Sequence, residues 1–189
     1  MSKETAIRVS VGDVYVAEIT ETNGEITYGT PEVLAGTSTM GVAMERGNNS
    51  VYESGKKIHE NTRVSSAELT LETHTMSLVS EAKYIHGLTV TENGDVLDGP
   101  DDAPEKCAIG WAAPRSDGSS LCTWFLYTTP SKGNESYETA TDTDATPNDS
   151  YNFDAVARPD TGKLRRRKIC QTQSEVTAFF ASVMPASGT

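Results

Sequence analysis

The chain has 189 residues, a formal net charge of −11 and an aromatic content of 7%. This length predicts one domain. The acidity argues against a protein that grips nucleic acid, because such binding depends on Lys and Arg side chains at phosphates. A hydrophobic fraction of 36% supports a core, but a lean one, so we expect more surface to be buried in an assembly.

Cysteine and histidine spacings indicate no reactive centre. The three cysteines are an odd number and two lie in the most apolar stretch, so we expect buried free thiols. No spacing typical of zinc ligands occurs, and no nucleophile elbow or phosphate-binding loop is present. No signal peptide or long apolar run is found. We therefore predict no enzyme, no cofactor, no metal and no membrane binding by this chain.

The first third is predicted to be strands after an N-terminal arm of about residues 1–12. Residues 14–20 are expected to form a strand, and Thr22-Asn-Gly-Glu25 is a hairpin signal. A return strand is expected from Ile26, and a further short strand near Met40 to Met44.

A long polar segment, residues 47–62, is predicted to be a loop, and connections of this length are uncommon without a function. Two interpretations are open. It is either a floppy surface loop or an arm that orders against a neighbouring subunit. In the second case Tyr52, Lys56, Lys57 and Ile58 are the candidate inter-subunit contacts.

The next two predicted elements differ in the spacing of their apolar residues. Residues 66–73 alternate cleanly, with apolar side chains inward and Glu68 and Glu72 on a solvent-exposed face. From Met76 to Ile85 the apolar spacing changes to three and four, which predicts an amphipathic helix of about three turns, ended by Gly87.

The most apolar stretch runs from Cys107 to Thr129 and holds both tryptophans. Two alternating arms flank the polar turn residues 115–120, where Gly118 is suited to a positive φ. Both faces of both arms are apolar. This predicts a long antiparallel hairpin at the centre of a sheet, covered on both sides.

The last part begins with a polar loop of about residues 130–150. Strands are expected at 152–157 and 164–172, followed by a C-terminal helix and arm of about 174–189. The basic run 165–168 lies in a strand, so its members alternate between faces. We expect them to pair with carboxylates within or between subunits.

Several stretches carry a family likeness in one order along nearly the whole chain. They are Val14–Thr20 with Ile26–Pro31, Tyr52–Gly55, Ser66–Leu71, Ala108–Gly118 with Thr123–Tyr127, Tyr137–Asp142 and Glu175–Phe180. In this succession the chain resembles the major tail protein, or tail tube protein, family of long-tailed siphophages. Each stretch alone is a weak signal, and the order makes the resemblance specific.

The resemblance implies a mainly β (α+β) fold. The expected form is a β-sandwich or partial barrel of two roughly orthogonal antiparallel sheets, with one flanking helix and a short C-terminal helix. It implies a structural virion protein. Six subunits form a ring, the rings stack into a hollow tube around a tape-measure protein, and inner sheets join into a β-barrel.

The implied partners are further copies of the chain, the tape-measure protein, the tail completion or terminator protein and the distal tail (initiator) proteins. Genomic DNA passes through at ejection without specific binding, and an acidic lumen would repel it. Glu68 and Glu72 are candidate lumen residues, and the alternative is that their strand face lies on the outside of the tube. The 47–62 segment stands where the bridging loop would be. The implied location is the phage tail, with assembly in the host cytoplasm.

Three alternatives stay open at this point. The chain resembles equally the tube of a phage-derived tailocin. It could instead be a β-sandwich binding or adhesion module of a phage particle, which predicts exposed aromatics in a cleft and a stable monomer. An enzyme with a site assembled from distant residues predicts a pocket with clustered polar groups.

Overall fold

The computed structural model describes residues 6–53, 56–99, 101–132 and 149–185, with the backbone alone for 47–63 and 132. Most of the predicted polar loop at 130–150 lies outside the described residues. So do the outermost parts of the two predicted terminal arms.

Nine antiparallel strands and two short helices form the described chain, which confirms the mainly β class. The strands are β1 Val14–Thr22, β2 Glu25–Tyr28, β3 Glu32–Ala35, β4 Thr39–Glu53, β5 Lys56–Thr73, β6 Cys107–Pro114, β7 Ser120–Lys132, β8 Asp149–Val156 and β9 Arg165–Cys170. Their order is β2-β1-β6-β7-β8-β5-β4, with β3 beside β1 and β9 beside β7. All nine belong to one hydrogen-bonded sheet, so two separate orthogonal sheets remain a prediction.

The central hairpin is confirmed as β6 and β7, with Gly118 at φ 79° in its turn. On one side of the hairpin, the rings of Trp111 and Phe125 stack 5.8 Å apart in the main core. On the other side, Trp124 is fully buried beneath the C-terminal helix, α2 (Gln173–Phe180). Apolar residues on both faces of the hairpin are therefore explained by two separate packing partners.

The sheet curls around the main core. Val16 of β1 and Ile109 of β6 share one buried cluster with Leu69 of β5 and Phe153 of β8. These strands lie far apart in the sheet order, so the sheet must bend back on itself for their side chains to meet. Ile85, from the helical segment after β5, also packs in this cluster.

The predicted amphipathic helix is shorter and less regular than expected. It consists of one α-turn, α1 (Leu78–Glu81), continued by a π-helical turn, Ala82–His86. Gly87 ends it at φ 69°, as predicted. Leu78 and Val79 were expected to pack on the sheet, but they are 60% and 52% exposed. The π-helical turn carries the buried side chains instead.

The prediction of a loop over residues 47–62 was wrong. β4 and β5 pair continuously from Thr39 opposite Glu72 to Glu53 opposite Lys56, with two bulges. Only Ser66–Thr73 of β5 pairs with β8, so residues 46–53 and 56–63 extend beyond β8 as a two-stranded ribbon, which we refer to as the hairpin arm. Alternation of polarity arises where one strand face packs on a core. This segment lacks that pattern, and its sequence therefore resembled a loop.

The three cysteines are buried and free, as predicted. Burial raises the pKa of Cys107 to about 11 and is the main reason that the pKa of Cys122 rises to about 12. Thiols with such pKa values are almost wholly protonated at neutral pH, and the thiolate is the reactive form. Cys107 and Cys122 therefore pack in the interior as protonated thiols at neutral pH.

Candidate functional site

Four strand segments lie side by side at one end of the sheet order. They are β4, β5, β8 and the last part of β7, Thr129–Lys132. Ala67, Leu69 and Leu71 of β5 point into the core and are at most 2% exposed. Because side chains alternate along a strand, the residues between them form an outward face, and the register extends that face across all four segments.

This outward face is polar and acidic. Its members are Thr39, Gly41, Ala43 and Glu45 of β4, Ser66, Glu68, Thr70 and Glu72 of β5, Ser150, Asn152, Asp154 and Val156 of β8, and Thr129 and Ser131 of β7. We refer to these residues as the acidic face. Its four charged members are all carboxylates, so the face carries no balancing Lys or Arg.

Glu68 and Glu72 lie on this face, as their alternation predicted. Glu68 stands directly opposite Asp154 of β8, and like charges in that relation destabilise a sheet. Glu45 accepts a 2.6 Å hydrogen bond from the Ser66 hydroxyl on the same face. Sequence reasoning missed Asp154 and Glu45. The pattern around Asp154 alternates and could have placed it outward, but only the register brings it opposite Glu68.

Both lateral edges of the four segments are free among the described residues. β4 pairs with β5 alone. On the other side, the pairing of β6 with β7 ends at Cys107 opposite Thr128, so Thr129–Lys132 has β8 as its one partner strand. An unpaired edge presents backbone N–H and C=O groups that can pair with another chain. At the β4 edge, Val42 is 41% exposed.

The hairpin arm places the predicted inter-subunit residues at its tip. Tyr52 of β4 pairs with Lys57 of β5, and Lys56, the first residue of β5, pairs with Glu53. Ile58 follows on the same strand. The side chains of these four residues lie outside the described part, so their contacts stay a prediction.

The surface of the described residues has a groove beside α1. A groove of about 560 Å³ lies between α1, its π-helical extension and residues 88–98. On its wall, His86 Nε2 stands 3.5 Å from a carboxylate oxygen of Glu81. Across the described ranges, no three His, Cys, Asp or Glu side chains cluster in a way that could hold a metal ion.

Comparison with known proteins adds no family assignment. A scan against protein-family models found no match, and a search of curated proteins found no similar sequence. Within the described ranges, no helix combines the length and apolar character needed to span a membrane. The features of the fold that call for a functional explanation are the acidic face, its free edges and the hairpin arm.

Proposed function

We propose that this chain is the structural subunit of a bacteriophage tail tube. Six copies close a ring, rings stack into a hollow tube around a tape-measure protein, and the tube later conducts DNA. The observation that carries the proposal is the acidic face, a solvent-exposed sheet surface with carboxylates alone as its charges, between two free strand edges. The motif order of the tail tube family supports it.

The charge of the acidic face suits a lumen. Glu45, Glu68, Glu72 and Asp154 bring four negative charges from each subunit to one surface. A sixfold ring repeats this set around a channel. Phosphates are repelled there, whereas Lys or Arg would bind them and release counterions. The repulsion acts over roughly 8 Å at physiological salt, which is enough to keep DNA from adhering to the wall.

The free edges suit ring closure. Pairing of the β4 edge of one subunit with the Thr129–Lys132 edge of the next would join the acidic faces into one closed barrel. Closure removes exposed edges, which are otherwise sites of uncontrolled association. In this arrangement the segments that carry the acidic face form the inner of two roughly orthogonal layers.

The hairpin arm suits a bridging role. A two-stranded hairpin is at best marginally stable alone in water. Residues 46–53 and 56–63 extend past β8 and pair only with each other among the described residues. Packing against a neighbouring subunit would stabilise the arm, with Tyr52, Lys56, Lys57 and Ile58 as its contacts. The tape-measure, terminator and distal tail proteins are the further partners that the proposal requires.

The first test is blocking of the β4 edge. Val42→Lys places an inward-pointing charge on an edge strand, a device that prevents edge-to-edge pairing. We expect wild-type protein at high concentration to form rings or tubes in negative-stain electron microscopy. The variant should stay monomeric, with an unchanged circular dichroism spectrum.

Val79→Lys is the matched control, because Val79 is similarly exposed but lies on α1, away from any strand edge. It should assemble like the wild type. Tubes of normal length from Val42→Lys would contradict edge pairing. A wild-type chain that stays monomeric at every concentration, even with distal tail proteins added, would contradict the tail-tube function.

A further inference from the structure

The basic side chains of β9 lie on two opposite faces of the strand and have different surroundings. Arg166 faces α2: its Nη1 donates to the carbonyls of Ser182 (2.9 Å) and Val183 (2.8 Å), and its guanidinium lies 4.3 Å from the Phe179 ring centre. This arginine holds the C-terminal segment against the sheet. Its role is therefore explained within the subunit.

Arg165 and Arg167 lie on the opposite face of β9. They stand opposite Phe125 and Thr123 of β7, and within the described ranges neither forms an ion pair. Partial burial and the positive charge of Arg167 lower the pKa of Arg165. Two like charges thus stand side by side on β9 with no carboxylate of the described residues paired to them. Ile169, on the same face, is 46% exposed.

A complementary surface lies elsewhere on the molecule. The acidic loop, residues 88–99 and 101–106, carries six carboxylates and one lysine. They are Glu92, Asp95, Asp98, Asp101, Asp102, Glu105 and Lys106. None of the six carboxylates has an ion-pair partner among the residues the structure describes. Leu97 in this loop is 75% exposed, which gives an apolar contact to match Ile169.

The two surfaces are offset along the strands. The acidic loop enters β6 at Cys107, whereas Arg167 stands opposite Thr123, which pairs with Trp111. Four residues along a strand correspond to about 13 Å. A surface and its complement at different levels of one molecule can make a head-to-tail contact, and such a contact repeats along an axis when its rotation does not close a ring.

We propose that β9 of one copy binds the acidic loop of a second copy, with Arg165 and Arg167 pairing with loop carboxylates around an Ile169–Leu97 contact. This inference rests on the proposed tube and assigns the contact between stacked rings. Charge pairing of this kind fixes register and partner choice. It also explains why an acidic chain keeps an arginine pair that no carboxylate of the described residues neutralises.

The test is charge reversal on the two faces of one strand. Arg167→Glu should weaken self-association at least about tenfold in sedimentation velocity at low salt. Lys168→Glu makes the same charge change on the α2 side of β9 and should leave association within about twofold. Both residues are exposed, so both variants should keep the wild-type melting temperature.

A compensating charge exchange tests whether β9 and the acidic loop bind each other specifically. A chain carrying Arg167→Glu together with Asp98→Lys and Asp101→Lys places a new carboxylate on β9 and new ammonium groups on the loop, and it should assemble again. If Arg167→Glu assembles like the wild type, the contact is wrong while the tube proposal stands. If Arg167→Glu and Lys168→Glu weaken assembly equally, net charge alone is responsible and the contact is overturned. Absence of any wild-type self-association, even with distal tail proteins added, would overturn both proposals.

Discussion

At the residue scale, Gly110 of the central hairpin stands where the structure leaves no room for a side chain. A Cβ added there would lie 2.6 Å from two atoms of the Trp124 ring and 2.8 Å from the Thr123 carbonyl oxygen. Trp124 is fully buried, so neither neighbour has room to move. The absence of a side chain at Gly110 is what lets the indole lie flat on β6.

We expect Gly110→Ala to lower the free energy of unfolding by about 1–3 kcal/mol, the usual cost of overpacking a core, measured by urea denaturation. Gly41→Ala is the control, because its Cβ would meet Thr70 Cβ at 3.5 Å, an ordinary contact. That variant should stay within about 0.5 kcal/mol of the wild type. Equal stability of both variants would show that Trp124 repacks freely.

At the element scale, the pairing of β5 with β8 retains a repulsive contact. Glu68 and Asp154 are opposed at the centre of their ladder, where Thr or Gln would pair better. Because this pair destabilises the subunit, we infer that its carboxylates serve the charge of the acidic face rather than the stability of the fold. The acidic face is therefore expected to show a stability cost that a neutral substitution removes.

Glu68→Gln should raise the free energy of unfolding by about 0.2–1 kcal/mol in low salt. The gain should shrink in about 1 M salt, where the Debye length falls to roughly 3 Å. Glu92→Gln, in the acidic loop and outside any strand pair, is the control and should change little. A loss of stability in Glu68→Gln would mean that the carboxylate makes a favourable contact instead.

The same elements show how far a sequence predicts this fold. The central hairpin was predictable because both of its faces are buried and the apolar pattern is continuous. The outward position of Glu68 and Glu72 followed from alternation within one strand. The partnership of Glu68 with Asp154 did not, because it depends on the register between distant strands. The hairpin arm was missed because its sequence lacks the alternation that marks a strand with one face packed on a core.

At the scale of the whole molecule, the net charge and the position of the charges lead to different predictions for DNA binding. A chain with a net charge of −11 disfavours DNA binding wherever its carboxylates lie, whereas a lumen requires them on the acidic face. Reversing charges on that face should therefore increase the retention of DNA more than the same reversal elsewhere. The comparison needs assembled tubes, because the enclosed channel is what brings the faces of six subunits around the DNA.

We expect tubes of Glu68→Lys/Asp154→Lys to retain short duplex DNA that wild-type tubes release. Retention should fall steeply with salt, because each phosphate contact releases counterions. Asp13→Lys/Glu25→Lys makes the same change in net charge at exposed positions outside the acidic face, and its tubes should release DNA. Fluorescence anisotropy across a salt series measures both. Equal retention by the two variants would mean that overall charge, not the acidic face, governs passage of DNA.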